Sequence, residues 1–305
     1  MDATLQSGRN TPPTAGQALA SGEVRIDAVS KSYGVGPDRE LILDRCSLTL
    51  EAGRLTVLIG PSGCGKSTLI NILAGYESPD EGSMTIDGQP ISGPSSERLV
   101  VFQETALFPW MTTFQNVVYG PRVQRHRNRA DIRAEAMRLL EKVGLKEFRD
   151  KYPSQLSGGM QRRAELARAM INEPRLMLLD EPFRGLDAMT RELMQEYFLR
   201  LYEEKRQTVL FVTSEIDEAI FLADTLLLMS NKPGRIIKSM EITLPRPRDP
   251  HVLTSREYLR YKEEALDILH EEAMKAFAGG SKAAADFVEA YEQREQDKDP
   301  AAGPR

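Results

Sequence analysis

Gly60-Pro61-Ser62-Gly63-Cys64-Gly65-Lys66-Ser67-Thr68 is the stretch on which the reading of this chain turns. It fits the pattern of a glycine, four free positions, then Gly-Lys-Ser. The apolar run Leu55-Thr56-Val57-Leu58-Ile59 leads into it, and a helix-period segment, Ser67–Tyr76, follows. A strand, a glycine turn and a helix in that order form a phosphate-binding loop. Glycines let successive backbone N–H groups converge on oxyanions. The helix start adds unpaired donors and a partial positive charge. Lys66 would neutralise β- and γ-phosphate oxygens, and the Ser67 hydroxyl would face Mg²⁺. Cys64 and Thr68 complete the turn, so the whole stretch from Gly60 to Thr68 is assigned to the nucleotide.

Other short apolar runs have the same character: Leu99–Phe102, Leu176–Leu179, Val209–Val212 and Leu226–Met229. Each is too short for a helix and apolar on both faces, as strands are when helices cover both sides of a parallel sheet. Helix-period segments lie between them, at Arg133–Val143, Met160–Ile171 and Ala188–Glu204. The expected fold is therefore α/β, a P-loop NTPase core with a mainly parallel sheet. The alternating residues of 23–50 predict an added antiparallel pair. Arg175-Leu176-Met177-Leu178-Leu179-Asp180-Glu181-Pro182 reads as a buried strand ending in two carboxylates. Ligands of open α/β sheets bind at the carboxyl ends of strands, which places both acids near the phosphates. Asp180 suits the Mg²⁺ shell, and Glu181 suits polarising a water as general base.

Composition excludes several other classes. The chain has 305 residues, a net charge of −5 and a pI of about 5.5, which is not a nucleic-acid-binding balance. Hydrophobic residues at 41% and charged residues at 28% permit a packed core. Two cysteines, Cys46 and Cys64, cannot form a disulfide framework, and with three scattered histidines they argue against a structural zinc site. No run approaches the ~20 apolar residues of a membrane span, and the N-terminus lacks the apolar core of a secretory signal. The basic run Arg122–Arg133 is expected to be a solvated helix face. Residues 1–22 and 279–305 read as disordered tails. Pro245-Arg246-Pro247-Arg248-Asp249-Pro250 reads as a linker to an amphipathic helix near Ser255–Phe277, with Tyr258, Tyr261, Ala265, Ile268 and Leu269 on one side.

Between the two acidic and glycine-rich motifs stands Leu156-Ser157-Gly158-Gly159-Met160-Gln161, followed by the helix Arg162–Met170. With the phosphate loop and the Asp180-Glu181 strand, this trio resembles the ATPases of ABC transporters over roughly residues 24–244. The resemblance implies an ATPase domain at 23–244, with an antiparallel β subdomain and an α-helical signature subdomain at about 104–170. It also implies that Tyr33 stacks on adenine, that Gln103 is a catalytic and Mg²⁺-linked glutamine, and that Asp187 lies near the nucleotide. Ser157, Gly158 and Gly159 would contact the γ-phosphate bound to a second ATPase subunit in a head-to-tail dimer. The segment Leu107-Phe108-Pro109-Trp110 is similar to the nitrate, sulfonate and taurine importers of that family. Large apolar groups beside Gln103 mark a partner surface or a helical core.

Two departures from the family pattern matter. Thr213-Ser214-Glu215 stands where the family carries Thr-His-Asp, so Ser214 occupies the position of a histidine that contacts the γ-phosphate. None of His126, His251 and His270 lies near that position in the sequence. Arg184-Gly185-Leu186-Asp187 replaces the usual Ser-Ala-Leu-Asp but keeps the aspartate. Three arrangements follow from Ser214: a heterodimer whose other subunit completes a competent site, a homodimer with slow turnover driven by Glu181, or a water in place of the imidazole. The implied partners are a second ATPase subunit, a membrane permease and, indirectly, a periplasmic binding protein, with the chain peripheral on the cytoplasmic face of the membrane. A regulatory ATP-binding subunit and a non-transport ABC ATPase are the competing classes. No coiled-coil insertion and no tandem ATPase unit supports the last of these.

Overall fold

The computed structural model describes residues 21–124 and 128–278. The two stretches expected to be tails, apart from Ser21, Gly22 and nothing beyond 278, lie outside them, as does His126. The chain opens with β1 (Val24–Tyr33) and β2 (Glu40–Leu50), paired antiparallel as the alternation in 23–50 predicts. Val24 and Ile26 point inward while Arg25 and Asp27 face solvent, because successive residues of a strand alternate sides. After β3 (Leu55–Ile59) and α1 (Lys66–Ala74), the chain adds β4 (Glu81–Ile86) and the short β5 (Gln89–Pro90) to that first sheet, whose order is β2-β1-β4-β5.

The second sheet carries the site. Its remaining strands are β6 (Arg98–Val101), β7 (Leu176–Asp180), β8 (Thr208–Thr213), β9 (Thr225–Met229) and β10 (Ile236–Glu241), in the order β10-β9-β3-β8-β7-β6. All neighbours run parallel except β10 on β9. Every residue of β3 and β8 is buried, which explains why these strands read as unbroken apolar runs. Register pairs Ile59 with Thr213 and Val212 with Asp180, so the carboxyl ends of β3, β8 and β7 lie side by side.

Helices α2 (Thr113–Gln124), α3 (Arg129–Lys142) and α4 (Gly158–Met170) pack on one another around Val117, Ile132, Leu139, Leu140 and Leu166. Helix α5 (Ala188–Lys205) and the short α6 (Ile216–Leu222) cover the sheet. Three expectations need correction. Phe102 lies past the end of β6 and is 40% exposed. The run Arg122–Arg133 is not one helix face: Asn128, in extended conformation, caps α3 by accepting from the Ala130 amide at 3.0 Å, and residues 125–127 lie outside the described residues. The stretch expected to be a linker, 245–250, is docked on the core. Arg246 donates to Asp224 (2.8 Å), Glu203 (2.8 Å) and the Leu222 carbonyl (2.7 Å). Arg248 is buried and donates to the carbonyls of Phe221 (2.9 Å) and Ala223 (2.7 Å). The last carbonyls of a helix lack intrahelical partners, and two guanidinium groups satisfy those of α6.

That docking seats α7 (Arg256–Ala278) on the same core. Tyr258, Tyr261 and Ala265 are buried, with Ile268 and Leu269 packed beside them, as the amphipathic pattern predicts. The Tyr258 hydroxyl donates to Asp217.

Candidate nucleotide site

The phosphate loop leaves β3 at Ile59 and ends where α1 begins at Lys66. Gly65 has φ +108°, and a Cβ there would lie 2.6 Å from Leu43 Cδ2, so only glycine fits without strain. Gly65 is also the N-cap of α1 and offers no side-chain acceptor, which leaves the first-turn amides open to a ligand. Gly60 and Pro61 turn their carbonyls inward, and Lys66 Nζ donates to them at 2.8 and 3.0 Å. The Lys66 side chain is thereby held over the loop while only 6% exposed. Cys64 is buried, and burial pushes its thiol up, so it fills space under the loop rather than acting as a thiolate.

Asp180 and Glu181 stand opposite, at the end of β7. Burial raises the Asp180 carboxyl above the ordinary aspartate range; a hydrogen bond from Ser67 opposes this, the Glu181 charge adds to it and Lys66 counters it. Glu181 adopts φ +43°, unusual for a non-glycine residue, with its amide bonded to the Val212 carbonyl at 2.9 Å. One cavity of about 330 Å³ joins these groups. Ser62, Gly63, Gly65, Lys66, Ser67 and Thr68 of the loop line it together with Gln103, Asp180 and Glu181. Tyr33 sits at the rim, 40% exposed, with its hydroxyl donating to Glu77.

Two of the expected residues are placed elsewhere. Ser214 is exposed, one residue past β8, and does not line this cavity, although β8 runs between the strands that carry the phosphate loop and the two acids. Asp187 caps α5, accepting from the Thr190 amide at 3.0 Å, and borders a second cavity of about 450 Å³ together with Ser157, Gly158 and Gly159. Ser157 caps α4 by accepting from the Met160 amide at 3.3 Å. The two cavities share no lining residue. His251 and His270 lie in the turn before α7 and in α7 itself.

Sequence reasoning missed two groups. Arg162, buried in α4, donates to the carbonyls of Phe102 (2.8 Å) and Gln103 and pairs with buried Glu165 at 2.5 Å. The glutamine that lines the cavity is thus tied to the helix that the signature starts. An arginine and a glutamate three apart on a helix share a face, which was the available signal. The second group is Arg184, which lines the cavity and donates to Glu181 Oε2 at 2.8 Å. The apolar segment beside Gln103 divides: Leu107 is buried, Phe108 packs edge-on against Tyr119 at 4.9 Å, and Trp110 is 69% exposed.

The family model described as ABC transporter matches residues 43–184. The bicarbonate transport ATP-binding protein of Synechocystis is 41% identical over 271 residues, 88% of this chain and 96% of that one. The taurine import ATP-binding protein of Pseudomonas aeruginosa is 45% identical over 220 residues, 72% and 83% of the two chains. Among solved structures, a dimeric ATP-binding cassette in a post-hydrolysis state bound to ADP and Pi is 28% identical, with a TM-score of 0.62, covering 73% of this chain and all of the other.

Proposed function

This chain belongs to the ABC transporter ATP-binding proteins, and from that premise we propose that it is the ATPase subunit that energises import of a small solute of the bicarbonate, nitrate, sulfonate or taurine kind. The observation that carries the reading is the single cavity in which the phosphate loop faces Asp180 and Glu181. The loop amides and Lys66 would hold the β- and γ-phosphates. Glu181 would orient a water for in-line attack and take its proton, as a new O–P bond forms and the bond from the γ-phosphorus to the bridging oxygen breaks. The donor set fits Mg²⁺, a hard cation that keeps several waters: the Ser67 hydroxyl touches the Asp180 carboxylate, and Gln103 faces them. When bound, the ion would supply charge neutralisation at the phosphates.

In this reading a second ATPase subunit brings its own Ser157-Gly158-Gly159 to complete each site. Support comes from the separation of the two cavities within one chain. Exposed Trp110 and Tyr119 offer a surface for a membrane permease, served in turn by a periplasmic binding protein. Among the described residues no helix is long and apolar enough to cross a membrane, so attachment at the cytoplasmic face would be through the permease. A second reading, a regulatory subunit that binds ATP without turnover, draws on the placement of Ser214 outside the cavity.

One experiment separates these. Titration calorimetry with ATP and Mg²⁺, run beside a phosphate-release assay, is expected to show binding and a turnover that rises faster than linearly with protein concentration. Glu181→Gln should keep the binding and lower turnover by about 100-fold. Binding with no turnover at any concentration supports the regulatory subunit. No binding refutes both.

A further inference from the structure

Two cations line the nucleotide cavity, Lys66 and Arg184, against two carboxylates, Asp180 and Glu181. Lys66 bonds to the carbonyls of Gly60 and Pro61, on the loop side of the cavity and away from Glu181's partner. A triphosphate entering here brings further negative charge to within reach of Glu181, and like charges at that distance repel. A cation beside Glu181 would ease that repulsion while the carboxylate orients the attacking water.

Arg184 is the group placed to do this. Its amide bonds to the Glu181 carbonyl at 3.1 Å, closing a turn bracketed by two left-handed residues, Glu181 (φ +43°) and Gly185 (φ +80°). The turn brings both side chains to the same cavity, and the guanidinium reaches Glu181 Oε2 at 2.8 Å. The Glu181 side chain is 11% exposed and that of Arg184 58% exposed, so the carboxylate is the buried member of the pair and the guanidinium has open space beside it. A guanidinium has five N–H donors in a planar fork, and one meets Glu181 in this structure. Ser214 is exposed and cannot carry charge, and among the described residues no histidine lines the cavity.

We propose that Arg184 ties Glu181 to the γ-phosphate of bound ATP, bridging the two anions with one guanidinium on the Glu181 side of the cavity, while Lys66 serves the phosphates from the loop side. The proposal rests on the ATPase reading above. Arg184 then acts mainly on the hydrolytic step, because ATP is already held by the loop and Lys66.

The test compares the full-length protein with Arg184→Ala and Arg184→Lys. Steady-state phosphate release and ATP affinity by calorimetry are measured on each. Arg184→Ala should lower kcat by about 100-fold while the ATP Kd stays within about 3-fold. Arg184→Lys should recover part of the loss, since a point charge cannot bridge as a fork does. Arg184→Ala with kcat within about 2-fold of wild type, or faster, overturns the proposal. So does a loss of affinity that matches the loss of rate, or a wild type that binds ATP and never turns over. A wild type that fails to bind ATP removes the nucleotide reading itself, and the proposal with it.

Discussion

The chain contains two glycine-rich helix starts, and they are built for opposite situations. At α1 the N-cap is Gly65, left-handed and without a side-chain acceptor, so the first amides stay open above a buried lysine. At α4 the N-cap is Ser157, whose hydroxyl already accepts from the Met160 amide. Gly158 there has no atom within 4 Å of where a Cβ would stand, while Gly65 is pressed against Leu43 and Ile42. The first start is a finished seat with its own cation and opposing acids. The second is a capped, exposed surface beside Asp187 and Thr190. The glycines therefore do different work: at Gly65 glycine permits a backbone conformation, and at Gly158 it leaves open space at the helix start.

Four measurements bear on these two helix starts. Lys66→Ala removes the charge-assisted contacts of the finished seat, at ~1.5–3 kcal/mol each, and should weaken ATP binding by about 100-fold or more in a calorimetric titration. The same change should leave the α4 start untouched, so a folded but non-binding protein is expected. Asp180→Asn should lower turnover by about 100-fold and also raise the melting temperature of the nucleotide-free protein. The sign follows from burial: a carboxyl raised above the ordinary 3.8 binds its proton more tightly in the fold than in the unfolded chain. Its contribution to stability is therefore present at low pH and lost as pH rises through the raised value, and the neutral amide escapes that loss. An Asp180→Asn protein that melts lower than wild type would contradict this.

Third, Gly65→Ala should cost about 2 kcal/mol of stability, because alanine must adopt a left-handed φ against Leu43. Gly158→Ala should cost nothing measurable, and denaturant melts of the pair compare the two starts directly. Equal costs would erase the distinction. Fourth, Gly158→Asp should keep the ATP affinity of the isolated subunit and reduce turnover by about 10-fold, as a carboxylate meets the partner's phosphate. Light scattering with ATP should then show less dimer. Unchanged turnover would mean that this surface is not used.

Much of the site was legible because its parts are local. The phosphate loop is contiguous with its strand and helix, and Asp180-Glu181 ends an apolar run, so order along the chain already placed them. Legibility failed where side chains act across distance. Pro245 to Pro250 has the composition of a linker, yet Arg246 and Arg248 reach back to α6 and to Asp224 and Glu203. Prolines need no amide partner, so nothing local revealed that the segment was anchored. The basic run Arg122–Arg133 failed for a smaller reason, since the Asn128 cap restarts the helix and outweighs charge pattern.

By itself the sequence determined the class of protein: strand–glycine–lysine order, two acids at a strand end and the Ser-Gly-Gly helix start are short-range patterns with short-range physics. Only the tertiary structure decided how those parts are shared out. It put Lys66, Gln103, Asp180 and Glu181 in one cavity, sent Asp187 with Ser157 to another, and left Ser214 outside both. It also turned Arg184, which in the sequence was a mere departure from a motif, onto Glu181. Which charges meet depends on strand order and on backbone turns such as the left-handed one at Glu181, and long-range packing sets those.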